Sequence, residues 1–391
     1  MKYNFDKVID RSGTSAEKVE GLKHIWGRTD LIPLWVADMD FATAPFVTDA
    51  IRKRCENEVL GYTGKPDSYY NAIINWVKQR YDLIVTKEVI NFVPGIVPGI
   101  GMAMNCFTQK GDKVMIQPPV YHPFAWVTTR NERTLVINPL KWENGMYRMD
   151  LDAFREQIKG CKLFILCNPH NPGGVVWTEA ELRAIADICY DEKVLVFSDE
   201  IHADLTLPPH THRPFATVSE KARMNSVTFM SPSKAFNMPG LSASHALIFN
   251  EDLRKRFRIY MDAGELDMGH VFAFLSVEAA YSHGTEWLDQ CLAYIQGNID
   301  FVDEFLKNHA PKIKAIRPEA SYLVWLDCRE LELSQKDLNE FFVDKAHLAL
   351  NDGEMFGKEG IGFMRLNVAS PRCIIEKAMK QLADAYQLYI K

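Results

Sequence analysis

The 391-residue sequence contains no long hydrophobic run, and no stretch approaches the ~18 consecutive apolar residues that a membrane-spanning helix needs. Nor does it have an excess of basic residues. It has 45 Lys and Arg against 51 Asp and Glu, and the net charge of −6 disfavours a broad nucleic-acid-binding surface. Low-complexity segments and internal repeats are also missing, which argues against solenoids and propellers. We therefore expect neither a membrane nor a nucleic acid as a partner.

The cysteines form no recognisable pattern. Eight are scattered along the chain without a CxxC pair, and a chain of this length does not need disulfides to stabilise its core. The first six residues lack the apolar core of a signal peptide, so we expect reduced thiols in a cytoplasmic protein. His202, His210 and His212 have no acidic or cysteine companions at fixed spacing, and no metal site is predicted.

Four short apolar runs in the middle of the chain predict buried strands of a parallel sheet. Each is too short for an amphipathic helix and leads into a polar turn. The runs are Lys113–Ile116, Leu163–Leu166, Val194–Phe197 and Val227–Met230. Between the second and third runs, Thr178 and Glu181 have the spacing of a capping box and precede a helical pattern, as in a βαβ crossover. Ligands of such sheets bind beyond the carboxyl ends of the strands.

The domain organisation follows from length and from a change of pattern near residue 285. The length corresponds to roughly two to three domains. In the last hundred residues, long helical patterns bracket short apolar runs, which is typical of a smaller α+β domain. We place a large domain at residues 40–285 and a small domain at residues 1–39 together with 286–391.

Three polar motifs follow the predicted strands, and each alone has an ordinary structural explanation. Asp199 suits a helix N-cap, Lys234 a solvated surface position, and residues 168–172 (Asn-Pro-His-Asn-Pro) a rigid turn. Together they bring an amine, a buried carboxylate, an amide and hydroxyl groups to one edge of the sheet. This is the set of groups that holds pyridoxal 5′-phosphate (PLP).

With these motifs the sequence resembles the fold-type I PLP enzymes of the class I/II aminotransferase superfamily. The resemblance covers essentially the whole chain and is carried by residues 168–174, 198–200, 231–236 and 365–367. Residues 35–41 (Trp-Val-Ala-Asp-Met-Asp-Phe) and 199–202 (Asp-Glu-Ile-His) resemble the MalY/PatB group of cystathionine β-lyases. The fold implied is α/β: a large domain with a mostly parallel, seven-stranded sheet flanked by helices, plus a smaller α+β domain.

The resemblance also implies roles for individual residues around the cofactor ring. Lys234 is expected to carry the cofactor as a Schiff base and to move the Cα proton. Asp199 is expected to keep the pyridine nitrogen protonated, because an anionic partner raises the pKa of that nitrogen. Asn171 and His202 are expected at the 3′ oxygen, and Tyr121 is expected to stack on the ring.

The same resemblance assigns the substrate contacts and an oligomeric state. Arg365 matches the arginine that binds the α-carboxylate, with Asn171 and Ala37 as further substrate contacts. Tyr62 resembles the tyrosine that reaches the cofactor of the neighbouring subunit, which implies a homodimer with active sites at the subunit interface.

The cofactor phosphate lacks one usual partner. Many aminotransferases have a phosphate-binding arginine eight residues after the lysine, whereas this sequence has Ser242, as the MalY/PatB group also lacks that arginine. We expect the backbone amides of Ile96 and Val97 at a helix start, with Ser231 and Ser233, to bind the phosphate.

The function expected from the resemblance is β-elimination from a sulfur amino acid, giving a thiol, pyruvate and ammonia. An aminotransferase on the same scaffold is the first alternative, and a regulatory or partner-binding protein that retains the PLP scaffold is the second. The preferred leaving group is not fixed by the motifs, because we expect unmatched loops such as residues 264–274 to form those pocket walls.

Overall fold

The computed structural model describes residues 2–390, which form thirteen α-helices and fifteen strands. The helices are α1 (Glu17–Trp26), α2 (Pro45–Cys55), α3 (Asp67–Tyr81), α4 (Ile96–Phe107), α5 (Pro123–Arg130), α6 (Leu151–Gln157), α7 (Glu179–Asp191), α8 (Glu220–Met224), α9 (Glu251–Ala263), α10 (Val271–His283), α11 (Thr285–His309), α12 (Gln335–Glu340) and α13 (Arg372–Ile390).

The strands are short, as the sequence predicts. They are β1 (Ile32–Pro33), β2 (Ile90–Val93), β3 (Lys113–Ile116), β4 (Thr134–Ile137), β5 (Lys141–Glu143), β6 (Met146–Arg148), β7 (Cys161–Cys167), β8 (Leu195–Asp199), β9 (Ser226–Met230), β10 (Ser244–Leu247), β11 (Lys314–Ile316), β12 (Leu323–Asp327), β13 (Leu348–Ala349), β14 (Asn351–Asp352) and β15 (Phe363–Asn367). The four predicted runs correspond to β3, β7, β8 and β9.

A seven-stranded sheet in the order β2-β10-β9-β8-β7-β3-β4 organises the larger part of the chain. Strand β10 runs antiparallel to both of its neighbours, and the remaining pairs are parallel. The residues of β9 and β10 are buried throughout, as expected for strands covered on both faces by helices. The predicted fold class, a mostly parallel α/β sheet flanked by helices, is confirmed.

Helix α7 is the crossover between β7 and β8. The Thr178 hydroxyl accepts a hydrogen bond from the Glu181 backbone N–H at 3.2 Å, and the Glu181 carboxylate accepts one from the Thr178 N–H at 2.9 Å. This reciprocal pair is the predicted capping box, and it satisfies two amide groups that the first helical turn leaves unpaired. The apolar face of α7, including Leu182, Ile185 and Cys189, is buried.

A second, four-stranded antiparallel sheet has the order β11-β12-β15-β14 and is built from the C-terminal part of the chain, where α11 and α13 also lie. Near the N-terminus, β1 pairs in parallel with β13, so that Ile32 lies opposite Leu348. The segment after β1 then passes close to β15, because the Asn367 amide donates to the carbonyl oxygens of Val36 and Asp38, both at 2.7 Å. This contact brings the two ends of the chain together.

Within residues 2–390, no helix combines the length and the apolar character that a membrane span requires. All eight cysteines are free thiols. Across the same residues, no group of three or more His, Cys, Asp or Glu side chains is placed to hold a metal ion.

Candidate active site

The candidate active site lies where the carboxyl ends of β7, β8 and β9 meet. Cys167 at the end of β7 is paired with Asp199 at the end of β8, and β9 leads directly into the turn that carries Lys234. These strand ends open into a pocket of about 200 Å³. The predicted site residues that line the pocket are Ala37, Ile96, Val97, Tyr121, Asn171, Asp199, His202, Ser233 and Lys234.

Lys234 is held at the wall of this pocket by the N-terminal segment of the chain. Its Nζ donates a hydrogen bond to the Ala37 carbonyl oxygen at 2.6 Å, and the Tyr322 hydroxyl donates to the same oxygen at 2.9 Å. Burial lowers the pKa of Lys234 to about 8, although the nearby carboxylates of Asp38 and Asp199 act in the opposite direction. A neutral amine, which can act as a nucleophile or a base, is therefore accessible near neutral pH.

Asp199 is the buried carboxyl group of the pocket. It accepts a hydrogen bond from the Ile201 backbone N–H at 3.1 Å, and burial raises its pKa to about 7, with a further raising effect from Glu200. A cationic nitrogen facing this carboxyl group would favour its ionised form, because opposite charges stabilise each other strongly where water is excluded.

Glu200 supports the position of Asp199 from behind the pocket. Its carboxylate accepts hydrogen bonds from the Ser198 hydroxyl and the Phe215 backbone N–H, and it lies 2.8 Å from His212 Nε2. The side chains of Glu200 and His212 are fully buried. Every oxygen of this carboxylate therefore has a partner, which fixes the turn that follows β8.

Arg365 is buried behind Asn171 and does not itself line the pocket. Its two terminal nitrogens donate to Asn171 Oδ1 at 3.1 Å, to the Trp35 carbonyl oxygen at 3.1 Å and to Asn351 Oδ1. Its Nε is buried and has no hydrogen-bond partner among the residues that the structure describes. Burial lowers the pKa of Arg365 to about 10, so the group stays cationic at neutral pH. An unsatisfied buried guanidinium suits a carboxylate ligand.

Tyr121 and His202 both contribute rings to the pocket wall. Burial raises the pKa of Tyr121, and burial lowers the pKa of His202 to about 3, so both side chains are neutral at physiological pH. His202 Nδ1 is buried and unpaired in the described part of the chain. A neutral imidazole with a free nitrogen can donate to or accept from a ligand oxygen.

The end of the pocket near α4 has the character of an anion site. Gly95 has a φ of 148°, which favours glycine, and α4 begins at the next residue, so that the first amide groups of the helix border the pocket. Ser233 and Ser242 also line the pocket. Ser231 does not, because its hydroxyl donates to the Ala243 carbonyl oxygen at 2.7 Å and accepts from the Ser233 N–H at 3.1 Å. Ser231 therefore braces the turn that carries Ser233.

The residues of this pocket fit PLP. A buried amine, a buried carboxyl group, an aromatic ring and unpaired donors at a helix N-terminus match the aldehyde, the ring nitrogen, the ring face and the phosphate of that cofactor. Among the described residues that line the pocket, Lys234 is the sole Lys or Arg, so the phosphate end offers neutral donors.

Two predicted features lie away from the pocket within one chain. Tyr62 is 99% exposed and borders a separate depression together with residues 268–272. The loop of residues 264–274, which the sequence predicts to form pocket walls, contributes residues 268–272 to that depression and none to the pocket of its own chain. Its Gly269 packs against Phe92 of β2 and Phe274 of α10.

Several residues of the site carry no distinctive sequence signal. Asn351 contacts Arg365 because β14 pairs with β15 and places the two residues opposite each other. Tyr322 precedes β12 and reaches the Ala37 carbonyl oxygen across a separation of 285 residues. The Glu200–His212 pair could have been suspected, because Glu200 directly follows Asp199 in a buried turn. The other contacts join residues that are far apart in the sequence.

Comparison with known proteins places these features in context. The family model "Aminotransferase class I and II" matches residues 29–382. The "Cystathionine beta-lyase PatB" of Bacillus subtilis is 38% identical over 384 residues, 98% of this chain and 99% of that protein. The PLP-containing structure of cystalysin from Treponema denticola has a TM-score of 0.96 and 33% identity and covers 100% of both chains. A PLP-bound putative aminotransferase from Clostridium difficile has a TM-score of 0.96 and 40% identity over 98% of this chain and 100% of that chain.

Proposed function

The chain belongs to the class I and II aminotransferase family, and from that premise we propose that it is a PLP-dependent carbon–sulfur β-lyase of the cystathionine β-lyase type. The proposed reaction converts cystathionine and water into homocysteine, pyruvate and ammonia. One observation carries the proposal: the amine of Lys234 and the carboxyl group of Asp199 line one buried pocket, and the Arg365 guanidinium donates to Asn171 in its wall, in a chain 38% identical to a cystathionine β-lyase.

Each of these residues has a defined task in the proposed reaction. Bound PLP supplies an electron sink for the negative charge that develops at Cα of the amino acid. Arg365 binds the α-carboxylate through its fork of N–H donors. Lys234 removes the Cα proton with its neutral amine, and Asp199 holds a proton on the ring nitrogen. Tyr121 covers the ring face, and Asn171 and His202 bind its oxygen substituent.

The phosphate end of the pocket is assigned to neutral donors. The amides of Ile96 and Val97 and the hydroxyl of Ser233 are the proposed phosphate contacts, with Ser231 in a bracing position. The positive end of the α4 dipole offsets part of the phosphate charge.

The competing activity is amino transfer, because the C. difficile neighbour is described as a putative aminotransferase. Both reactions share the removal of the Cα proton and diverge afterwards. Purified holoenzyme is given cystathionine, and pyruvate and free thiol are measured; in parallel, transfer of the amino group to added keto acids is measured. Pyruvate and thiol in equal amounts without keto acid support the lyase, whereas strictly keto-acid-dependent turnover contradicts it.

A variant of Lys234 tests whether the activity depends on the proposed site. Lys234→Ala removes the amine that takes the Cα proton, and we expect turnover to fall by at least about a thousandfold together with loss of the absorbance of the covalently bound cofactor. Retained turnover would overturn the assignment. A partner-binding role, the remaining alternative, would appear as binding that survives in Lys234→Ala.

We further propose a homodimer, a cytoplasmic location and the division into residues 40–285 and residues 1–39 with 286–391. Exposure of Tyr62 and of the neighbouring Val59 and Leu60 supports a subunit contact at this surface. The free state of all eight cysteines fits a reducing compartment. The pairing of β1 with β13 supports the assignment of the N-terminal residues to the smaller domain.

A further inference from the structure

A second cavity of about 460 Å³ lies beside the candidate active site. One wall carries the side chains of His122 and Trp126 at the start of α5, and the other wall is formed by residues 354–359. We call this cavity the outer groove. It is open to solvent on the Trp126 side, where that ring is 45% exposed.

Two residues of the outer groove, His122 and Phe356, contact Tyr121 and Arg365 of the proposed substrate site. His122 follows Tyr121, the ring that lines the cofactor pocket, and the centroids of the two rings are 5.4 Å apart. Phe356 lines the groove, packs edge-on to His122 at 5.7 Å, and carries the Arg365 guanidinium 4.8 Å from its ring centroid. A substrate held between Arg365 and Tyr121 therefore lies next to the outer groove.

Two residues that line the groove each have one buried polar atom without a hydrogen-bond partner within residues 2–390, namely His122 Nδ1 and Glu359 Oε1. The Glu359 backbone is anchored, because its carbonyl oxygen accepts from the Tyr147 hydroxyl at 3.4 Å. Burial, with a contribution from Arg365, lowers the pKa of His122 to about 4, so the ring is neutral. An unpartnered buried carboxylate oxygen is costly unless a ligand supplies a donor.

These groups favour a cationic donor over an anion or a purely apolar ligand. A carboxylate oxygen is an acceptor, a neutral imidazole nitrogen can be one, and two of the three charged residues in the 354–359 wall are acidic, namely Glu354 and Glu359 against Lys358. An ammonium group supplies several donors and one positive charge, and the aromatic walls accommodate the alkyl chain that carries it.

Resting on the proposed function, we propose that the outer groove is the subsite for the leaving thiol and that Glu359 selects cysteine thioethers whose leaving thiol carries an ammonium group. Cystathionine belongs to this class, because its distal half ends in an amino acid. Simple S-alkyl cysteines fill the groove without satisfying Glu359. Glu359 is thus a specificity-determining residue of the same reaction.

Two analogues separate the charges of the distal half. S-(3-carboxypropyl)cysteine is cystathionine without its distal amino group, and S-(3-aminopropyl)cysteine is cystathionine without its distal carboxylate. With wild-type holoenzyme we expect kcat/KM for cystathionine and for the aminopropyl compound to exceed that for the carboxypropyl compound by about tenfold or more, the effect of one charge-assisted hydrogen bond.

The variants test whether Glu359 causes this preference. Glu359→Gln should reduce the ratio of kcat/KM for the aminopropyl and carboxypropyl compounds by about tenfold, and Glu359→Asp should retain more of it. Glu376→Gln, which removes an exposed carboxylate on α13, is the matched control and should leave the ratio unchanged. No discrimination by the wild type, or an unchanged ratio in Glu359→Gln, overturns the proposal.

A wild-type measurement keeps the proposal testable if Glu359→Gln does not fold. Product inhibition by homocysteine is compared with inhibition by 4-mercaptobutyrate, the same thiol without the amino group. We expect homocysteine to inhibit about tenfold more strongly, and equal inhibition overturns the proposal. If no compound yields pyruvate, the proposed function itself fails; if all yield it with equal kcat/KM, only the assignment of the groove fails.

Discussion

Lys234 and Asp199 are buried in the same pocket, and burial shifts their pKa values in opposite directions, both towards neutrality. The pKa of Lys234 is lowered to about 8 and that of Asp199 is raised to about 7. Low polarity disfavours each charged form, so both groups respond strongly to a charged ligand. The pocket is thus built to change its protonation when a cofactor with a ring nitrogen and a phosphate enters.

This shift makes the stability of the cofactor-free protein depend on pH. The pKa of Asp199 is about 7 in the folded protein, whereas its ordinary value is 3.8. At pH values between these two, the folded state therefore binds more protons than the unfolded state. The free energy of unfolding should therefore fall as pH rises from about 4 to about 7. Asp199→Asn removes this dependence, and we expect the fall between about pH 5 and pH 7.5 to shrink by about 1–3 kcal/mol in the variant.

Urea denaturation of the two cofactor-free proteins at both pH values measures the difference. Other carboxyl groups contribute equally to the wild type and the variant, so the comparison isolates Asp199. An identical pH dependence would mean that Asp199 is ionised in the folded pocket and that the effect of burial is offset.

At the scale of elements, helix α7 depends on its N-terminal cap. The Thr178 hydroxyl is one of two groups that satisfy the first amides of the helix. We expect Thr178→Ala to lower the free energy of unfolding by about 1 kcal/mol, because an N-cap oxygen is lost at an exposed position. Chemical denaturation measures this change, and Thr206→Ala, which alters a hydroxyl outside any α-helix cap, is the control.

Activity should be unchanged in Thr178→Ala, because the cap lies away from the pocket. A loss of activity at full cofactor occupancy would show that α7 transmits its position to Asp199 through β8. A stability change below about 0.3 kcal/mol would mean that water replaces the lost hydroxyl.

The elements that the sequence predicted correctly are those with local signals. The capping box defines the start of α7, and runs of buried apolar residues define β3, β7, β8 and β9. The lysine, aspartate and asparagine of the site follow from their places after these strands. The contact of Asn351 with Arg365 could not be predicted, because it depends on how two-residue strand β14 pairs with β15. Burial of Ser231 against Ala243 likewise depends on packing between separate turns.

For the molecule as a whole, the N-terminal segment joins the two sheets at the active site. The Ala37 carbonyl oxygen accepts from Lys234, which follows the large sheet, and from Tyr322, which precedes β12 of the small one. Asn237 holds the next residues, donating to the carbonyl oxygens of Met39 and Phe41. A shift between the sheets would therefore move the backbone that contacts the Lys234 amine, so the geometry of the candidate site depends on both parts of the chain.

The proposed dimer can be tested by mixing variants, because Tyr62 of one subunit would complete the site of the partner subunit. Tyr62→Ala should weaken cofactor binding, and Lys234→Ala should abolish turnover. Mixed after unfolding and refolding, the two variants form heterodimers in which one site has both Lys234 and Tyr62 intact. Random pairing gives about half heterodimers with one intact site each, so activity should recover to about a quarter of the wild-type value.

Subunit exchange is checked by size-exclusion chromatography of tagged chains, and activity is measured at a cofactor concentration too low to saturate Tyr62→Ala. In the control mixture of Lys234→Ala with Asp199→Ala, each chain damages its own site, so neither site of the heterodimer is intact and activity should not recover. If the Tyr62→Ala mixture recovers no more than this control although heterodimers form, Tyr62 acts within its own chain or not at all, and the shared-site arrangement is wrong.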